Sequence, residues 1–367
     1  MKKITIFWGP NSEYKKLLPK TYTNLTTLAL RLDKENRTFE LRDPSRKDNS
    51  NHKKPRVKTF VVSADEYCSV NEHIITNFNN FLAQFACTEM FIQNPPKAIK
   101  EQLFRTFDGC INEQIYQYPI LSEDIIRNIY RTFDLTIIGQ ESVKMELLKA
   151  LFPAINKKQK KPVVILLYGP SGVGKTETAR YLAEILNGNL LRKQFSMFQG
   201  GEFANYLFGG KYNEKSFAQD LMARESNVIL LDEFDKANPI FHSAFYQLFD
   251  DGVYADPNYE ADVNNAIIIC TSNYSNRREI EEKLGAPIYN RFDAIIEFDE
   301  LTTEAKKKIA EIAIRECEKD FKAIVLSDQT KENLIKKCAS LSNARAIQRI
   351  VKETFSLLGI RHICNSE

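Results

Sequence analysis

Val163-Val164-Ile165-Leu166-Leu167-Tyr168-Gly169-Pro170-Ser171-Gly172-Val173-Gly174-Lys175-Thr176, running on into Glu177–Leu186, decides how this chain is read. Its opening six residues form an unbroken β-branched and aliphatic run, the pattern of a strand buried on both faces. The next eight obey the spacing G-x-x-x-x-G-K-[ST], and a helical pattern follows them. Strand, glycine-rich loop and helix stand in the order that lets backbone amides turn inward around phosphates, helped by the positive end of the helix. The candidate nucleotide-binding residues are Pro170, Ser171, Gly172, Val173, Gly174, Lys175, Thr176 and Glu177. Lys175 should reach the β- and γ-phosphates of ATP, and the Thr176 hydroxyl should enter a Mg2+ shell.

Two further strand-like runs complete the expected site. Val228–Leu231 ends in Asp232-Glu233, 56 residues after Lys175 counted to Leu231. In a phosphate-loop protein such a strand lies beside the first, which makes Asp232 the candidate magnesium ligand and Glu233 the candidate general base for the attacking water. Ala266–Cys270 leads into Thr271-Ser272-Asn273, where Asn273 could orient that water. The expected fold is α/β: a P-loop NTPase αβα sandwich on a parallel sheet.

The motifs GPSGVGKTETAR, LLDEFDKANP, FYQLFDDG, IIICTSN and YNRFDAIIEF, with Ile137-Ile138-Gly139-Gln140 ahead of them, stand in the order found in the Clp/Hsp100 clade of AAA+ ATPases. The chain resembles the second ATPase module of Clp-type unfoldases from about Asp134 to His362. That resemblance implies a small helical C-terminal lid and a homo-oligomeric ring, with a hexamer expected and each site lying between neighbours. It also implies a protein substrate or partner remodelled at the expense of ATP. Ile137 and Ile138 resemble the adenine-side segment, Asn273 the sensor-1 amide, and Arg291 the arginine finger that reaches a neighbour's nucleotide. Arg345, in Asn343-Ala344-Arg345, resembles the sensor-2 arginine, with Asn343 where the family has Gly; Asn tolerates left-handed backbone angles. Arg349 is the alternative one turn on. Phe208, flanked by Gly209-Gly210, resembles the pore-loop aromatic that contacts substrate; Tyr212 is the alternative, and an inward-packed loop anchor is the competing reading. Only 17 residues separate Asn273 from Arg291, too few for the family's peptidase-docking loop, so no docked peptidase is expected.

Working outward, Pro119 and Ser122-Glu123-Asp124 announce a helix start and a domain boundary. The expected domains are 1–122, 123–300 and 301–367. The first reads as α+β: strands Leu25–Leu32 and Thr38–Arg42 around a turn, a polar loop 43–56, a strand Val57–Val62, helical spacing from Val70 to Gln93, and a helix from Lys97 to about Cys110. No catalytic signature lies in it, and no internal repeat is legible anywhere in the sequence. The chain carries a net charge of +3, but residues 1–60 hold 15 Lys or Arg against 6 Asp or Glu, which leaves the remaining 307 residues at −6. That basic segment is either a solvated lysine-rich surface or a face for an acidic partner, nucleic acid included. It motivates an alternative function, a nucleotide-switch ATPase in a nucleic-acid-linked system such as a mobile element or phage defence. Seven scattered cysteines without a C-x-x-C pair argue against a disulfide framework or zinc site. The longest apolar run is too short to span a bilayer, so the expected location is cytoplasmic with no membrane partner.

Overall fold

A computed structural model describes residues 3–37, 54–155, 161–197, 201–322 and 324–364. They form two compact units. One comprises Met1–Pro119, Phe198–Asn227 and Ser243–Asn264; the other comprises Ile120–Met197, Val228–His242 and Asn265–Glu367.

The first unit is organised by a five-stranded sheet of β1 (Lys3–Trp8), β2 (Thr23–Asn24), β3 (Arg56–Val62), β4 (Ala86–Gln93) and β5 (Ile111–Ile115), in the order β2-β3-β4-β1-β5. Every pairing in it is parallel. Helices α1 (Asn11–Leu17), α2 (Leu25–Arg37), α3 (Glu72–Thr76), α4 (Phe78–Leu82) and α5 (Lys97–Phe107) connect its strands. This corrects the α+β expectation: a parallel sheet with crossover helices is α/β. Its core gathers Ile4, Ile6, Phe60, Val62, Met90 and Ile92 from the strands and Leu25, Leu28, Phe78 and Leu103 from the helices.

Two local readings fail for identifiable reasons. Leu25–Leu32 is helical, not a hairpin strand, because Leu25, Leu28 and Leu32 are buried at spacings of three and four. Its proposed partner Thr38–Arg42 and most of the loop 43–56 lie outside the described residues. The helical spacing from Val70 to Gln93 breaks at Asn77, whose non-helical backbone separates α3 from α4, and then gives way to β4. Met90 and Ile92 are fully buried there at the alternate positions of a strand. Val57–Val62 and the helix from Lys97 fall as expected.

In the second unit Ser122 accepts a hydrogen bond from the Ile125 amide and caps α6 (Glu123–Thr136), followed by α7 (Glu141–Leu151). The sheet contains β6 (Val163–Tyr168), β7 (Leu191–Gln194) and β8 (Val228–Asp232). The short hairpin β9 (Val253–Ala255) and β10 (Glu260–Asp262) belongs to the first unit, and the chain returns with β11 (Ile267–Thr271) and β12 (Ala294–Glu297). The order is β12-β6-β11-β8-β7, parallel throughout. All six residues of β6 and all five of β8 and β11 are buried, which is why they read as continuous apolar runs. Helix α8 (Lys175–Ile185) packs Ala179, Leu182 and Ala183 into the same core. Beyond the sheet, helices Thr303–Asp320, Asp328–Ala339 and Ala344–Cys364 bury Ala310, Ile314, Leu334, Cys338, Ile347, Val351 and Phe355 in a core of their own. This is the helical lid of the expected fold. No helix among the described residues is long and apolar enough to cross a membrane.

Candidate nucleotide site

The carboxyl ends of β6, β8 and β11 meet at one cavity of about 480 Å³ within the second unit. Gly169, Gly172 and Gly174 all take positive φ, at 127°, 76° and 116°, so the loop between β6 and α8 turns where a side chain could not follow. A Cβ on Gly169 would lie 2.2 Å from the Phe298 carbonyl oxygen, and one on Gly172 would lie 2.9 Å from Asn343 Cγ.

Lys175 opens α8 and is buried. Its ammonium donates to the carbonyl oxygens of Gly169 and Pro170, both at 2.6 Å, and to Asn273 Oδ1 at 3.2 Å. Burial pushes it down to about 8, against the attraction of Asp235 and Asp232, with Arg345 adding to the depression. Asp232 ends β8 and accepts from Thr176 Oγ1 at 3.4 Å and from the Thr271 hydroxyl. Glu233 has a left-handed backbone, φ 55° and ψ 44°, a conformation that costs a non-glycine residue and gathers at functional sites. Its amide bonds Thr271 Oγ1 at 2.9 Å, and its carboxylate accepts from Gln194 Nε2 at 3.1 Å. Thr271 therefore links the two acidic residues through one hydroxyl.

Most of the residues singled out in the sequence line this cavity: Ile137, Ile138, Ser171–Glu177, Asp232, Glu233, Asn273 and Arg345. Ile137, Ile138, Ile309 and Ala313 supply its apolar end. Pro170 contributes its carbonyl to Lys175. Asn343 does not use the left-handed region expected of a glycine substitute. Its Oδ1 instead accepts from the Ala346 amide at 3.0 Å as a helix cap, while the Ala344 amide bonds Gly172 O at 3.1 Å. The lid helix thereby docks on the phosphate loop and delivers Arg345. Arg349 lines a separate surface groove with Arg345 and Gln348.

Arg291 is absent from the cavity lining and donates to Pro287 O at 2.6 Å. Phe208 ends the helix Gly201–Phe208 and is 43% exposed, whereas Tyr212 packs on the core of the first unit. Sequence reasoning missed Arg192, Gln194 and Thr271. Arg192 on β7 holds Asp232 Oδ2 at 2.6 and 2.8 Å through Nη2 and Nε. Its strand, Leu-Arg-Lys-Gln, is a partly exposed edge with no motif to mark it; only the pairing Gln194↔Asp232 brings it to the site.

Five parallel strands with Lys175, Asp232 and Glu233 at their carboxyl ends define a P-loop NTPase. Residues 160–337 match the family AAA domain (Cdc48 subfamily). The chain is 30% identical over 263 residues to the ATP-dependent Clp protease ATP-binding subunit ClpL of Staphylococcus aureus strain USA300, covering 62% of this chain and 37% of that protein. The strain MRSA252 counterpart is 32% identical over 216 residues, 51% of this chain and 31% of that one. The chain thus spans about a third of the length of these relatives. Its fold matches the Saccharomyces cerevisiae Hsp104–ADP complex with a TM-score of 0.56 at 21% identity, over 66% of this chain and 49% of that one. Residues 160–337 thus match an AAA+ ATPase module, and the chain is similar there to proteins of the Clp/Hsp100 type.

Proposed function

We propose that this chain binds and hydrolyses ATP in a ring of identical subunits and uses the energy to remodel a protein partner. The observation that carries this is the convergence of Lys175, Thr176, Asp232, Glu233, Asn273 and Arg345 on one cavity. In this reading the nucleotide domain lies within residues 123–300, apart from the segments Phe198–Asn227 and Ser243–Asn264 that fold with the first unit, residues 301–367 are the lid, and residues 1–122 recruit the partner in the cytoplasm.

The residues present suit a magnesium ion. Thr176 and Asp232 offer a hydroxyl and a carboxylate within hydrogen-bond reach of each other, the hard, sparse donor set that Mg2+ combines with phosphate oxygens and water. Ser272 Oγ, buried at the cavity wall without a partner among the described residues, leaves a further polar group for a bound ligand. When bound, the ion neutralises charge on the β- and γ-phosphates. The protein's own part follows from its side chains. Lys175 is held by two carbonyls and brings a cation to the phosphates. Arg192 fixes the orientation of Asp232. Glu233 takes the proton of the attacking water while Asn273 orients it. Arg345 couples the lid to nucleotide, and Arg291 from a neighbouring subunit completes the charge complement. Phe208, as the exposed aromatic, contacts substrate; the packing of Tyr212 favours an anchoring role. No observation favours the nucleic-acid alternative.

The test is ATP turnover measured against protein concentration, with light scattering on the same samples. Specific activity should climb as oligomers form, and Arg291→Ala should remove the climb, lowering assembled turnover about 10³-fold. A constant specific activity from scattering-defined monomers would contradict the shared-site reading.

A further inference from the structure

The two sheets share one topology. Numbered within each unit, the strand order is 5-1-4-3-2, parallel throughout, in both. The agreement extends to single residues. Gly9-Pro10 follows β1 as Gly169-Pro170 follows β6, and both glycines take positive φ, 150° and 127°. The Tyr116 amide donates to Trp8 O, as the Phe298 amide donates to Tyr168 O, each at 2.8 Å. The Asn94 amide donates to Phe7 O, as the Ser272 amide donates to Leu167 O, at 2.9 and 3.0 Å. A Cβ on Gly9 would strike Tyr116, and one on Gly169 would strike Phe298, the equivalent residue. Chance agreement of strand order alone is plausible for α/β folds; agreement of strand order, register, loop glycine and the residue packed on it is not.

The register then locates what should be the N-terminal phosphate site. In the second unit Ser171–Gly174 intervene between Pro170 and the helix; in the first, α1 begins at Asn11, directly after Pro10. The loop that would cradle phosphate is missing. What remains is filled. The Gly9 amide donates to Asn94 Oδ1, and the Gly9 carbonyl accepts from Asn94 Nδ2 and Gln93 Nε2, at 2.9 to 3.0 Å. Tyr14, fully buried, stacks on Phe7 and donates its hydroxyl to Val62 O at the end of β3. Glu225 accepts from both the amide and the hydroxyl of Ser12, placing a carboxylate at the start of α1 where a phosphate would sit. Since Val62 pairs with Ile92 as Leu231 pairs with Cys270, Ser63 and Ala64 stand at the positions of Asp232 and Glu233. The nearby Glu66 carboxylate is saturated by Ser63 and Thr26.

We propose that the N-terminal unit is a second phosphate-loop module whose nucleotide site has been closed by its own side chains, so that the chain takes up one nucleotide, at Lys175. The count of one rests on the ATP-binding reading above; the closure of the first unit does not. The test uses the full-length chain carrying Glu233→Gln, to suppress turnover. Equilibrium dialysis with radiolabelled ATP and Mg2+ should give one equivalent per chain, and none once Lys175→Ala is added. Hydrogen exchange on the same samples should slow on ATP addition at residues 169–180 and remain unchanged at residues 7–17 and 92–95. Two equivalents, or slowed exchange at residues 7–17 and 92–95, would overturn the proposal. An equivalent that survives Lys175→Ala with protection confined to the second unit would count against Lys175 as the binding residue and leave the N-terminal site closed.

Discussion

The two sheets of this molecule set the same five-strand plan to opposite ends. In the second unit the plan ends in an open loop of three positive-φ glycines, a buried lysine and two consecutive acidic residues at the end of β8. In the first, Ser63 and Ala64 stand where the acidic pair does and their amides donate to Glu66 and Gln93, while Asn94 and Tyr14 bond backbone groups. A sheet order therefore fixes where a site can form, and a handful of residues at the strand ends decides whether one does. In the proposed reading the chemistry belongs to the second unit because Lys175, Thr176, Asp232, Glu233 and Asn273 line a cavity there.

Two asparagines, Asn273 in the second unit and Asn94 in the first, sharpen this contrast most. Asn273→Ala should lower turnover about 10²-fold by releasing the lytic water and one partner of Lys175, with the fold intact by circular dichroism. Asn94→Ala removes two buried hydrogen bonds to Gly9 and should cost about 2 kcal/mol in urea unfolding while leaving ATP turnover per folded molecule unchanged. If Asn94→Ala abolished turnover with no loss of stability, the division between the two regions would fail.

A smaller effect comes from Lys175 itself. Burial holds its proton weakly in the free protein, down to about 8, whereas bound phosphates favour the charged form. Binding above pH 8 must therefore take up a proton, and affinity should fall by at most about tenfold per pH unit as pH rises through 8. Without nucleotide the sign reverses for stability: between about pH 8 and the usual lysine value the unfolded chain keeps a proton that the folded one has lost, so this group favours folding more as pH rises. Affinity titrations from pH 7 to 9 should show the slope in the native protein and lose it in Lys175→Arg, whose charge is fixed.

Much of the second unit was legible because its signals are local. A buried strand reads as an unbroken apolar run, and G-x-x-x-x-G-K-[ST] or Asp232-Glu233 are contiguous. Arg192 and Gln194 were not legible, since only lateral strand pairing brings them to Asp232 and Glu233. Asn343 was misassigned to a left-handed turn because the sequence shows the substitution and not the cap it makes. The first unit was read poorly for the same reason the repeat escaped notice. Its strand β2 is two residues long, α3 and α4 are five each, and the loop that would have announced a phosphate site is absent. What the two halves share is hydrogen-bond register, which leaves almost no trace in residue identity beyond Gly9-Pro10 and Gly169-Pro170.

The most direct test of the account is steady-state ATP hydrolysis by Glu233→Gln beside the unaltered chain, with bound ATP measured in parallel. Turnover should fall by at least about 10²-fold while ATP binding is retained. Turnover equal to that of the unaltered chain would contradict Glu233 as the general base and, with it, the assignment of the chemistry to the carboxyl ends of β6, β8 and β11.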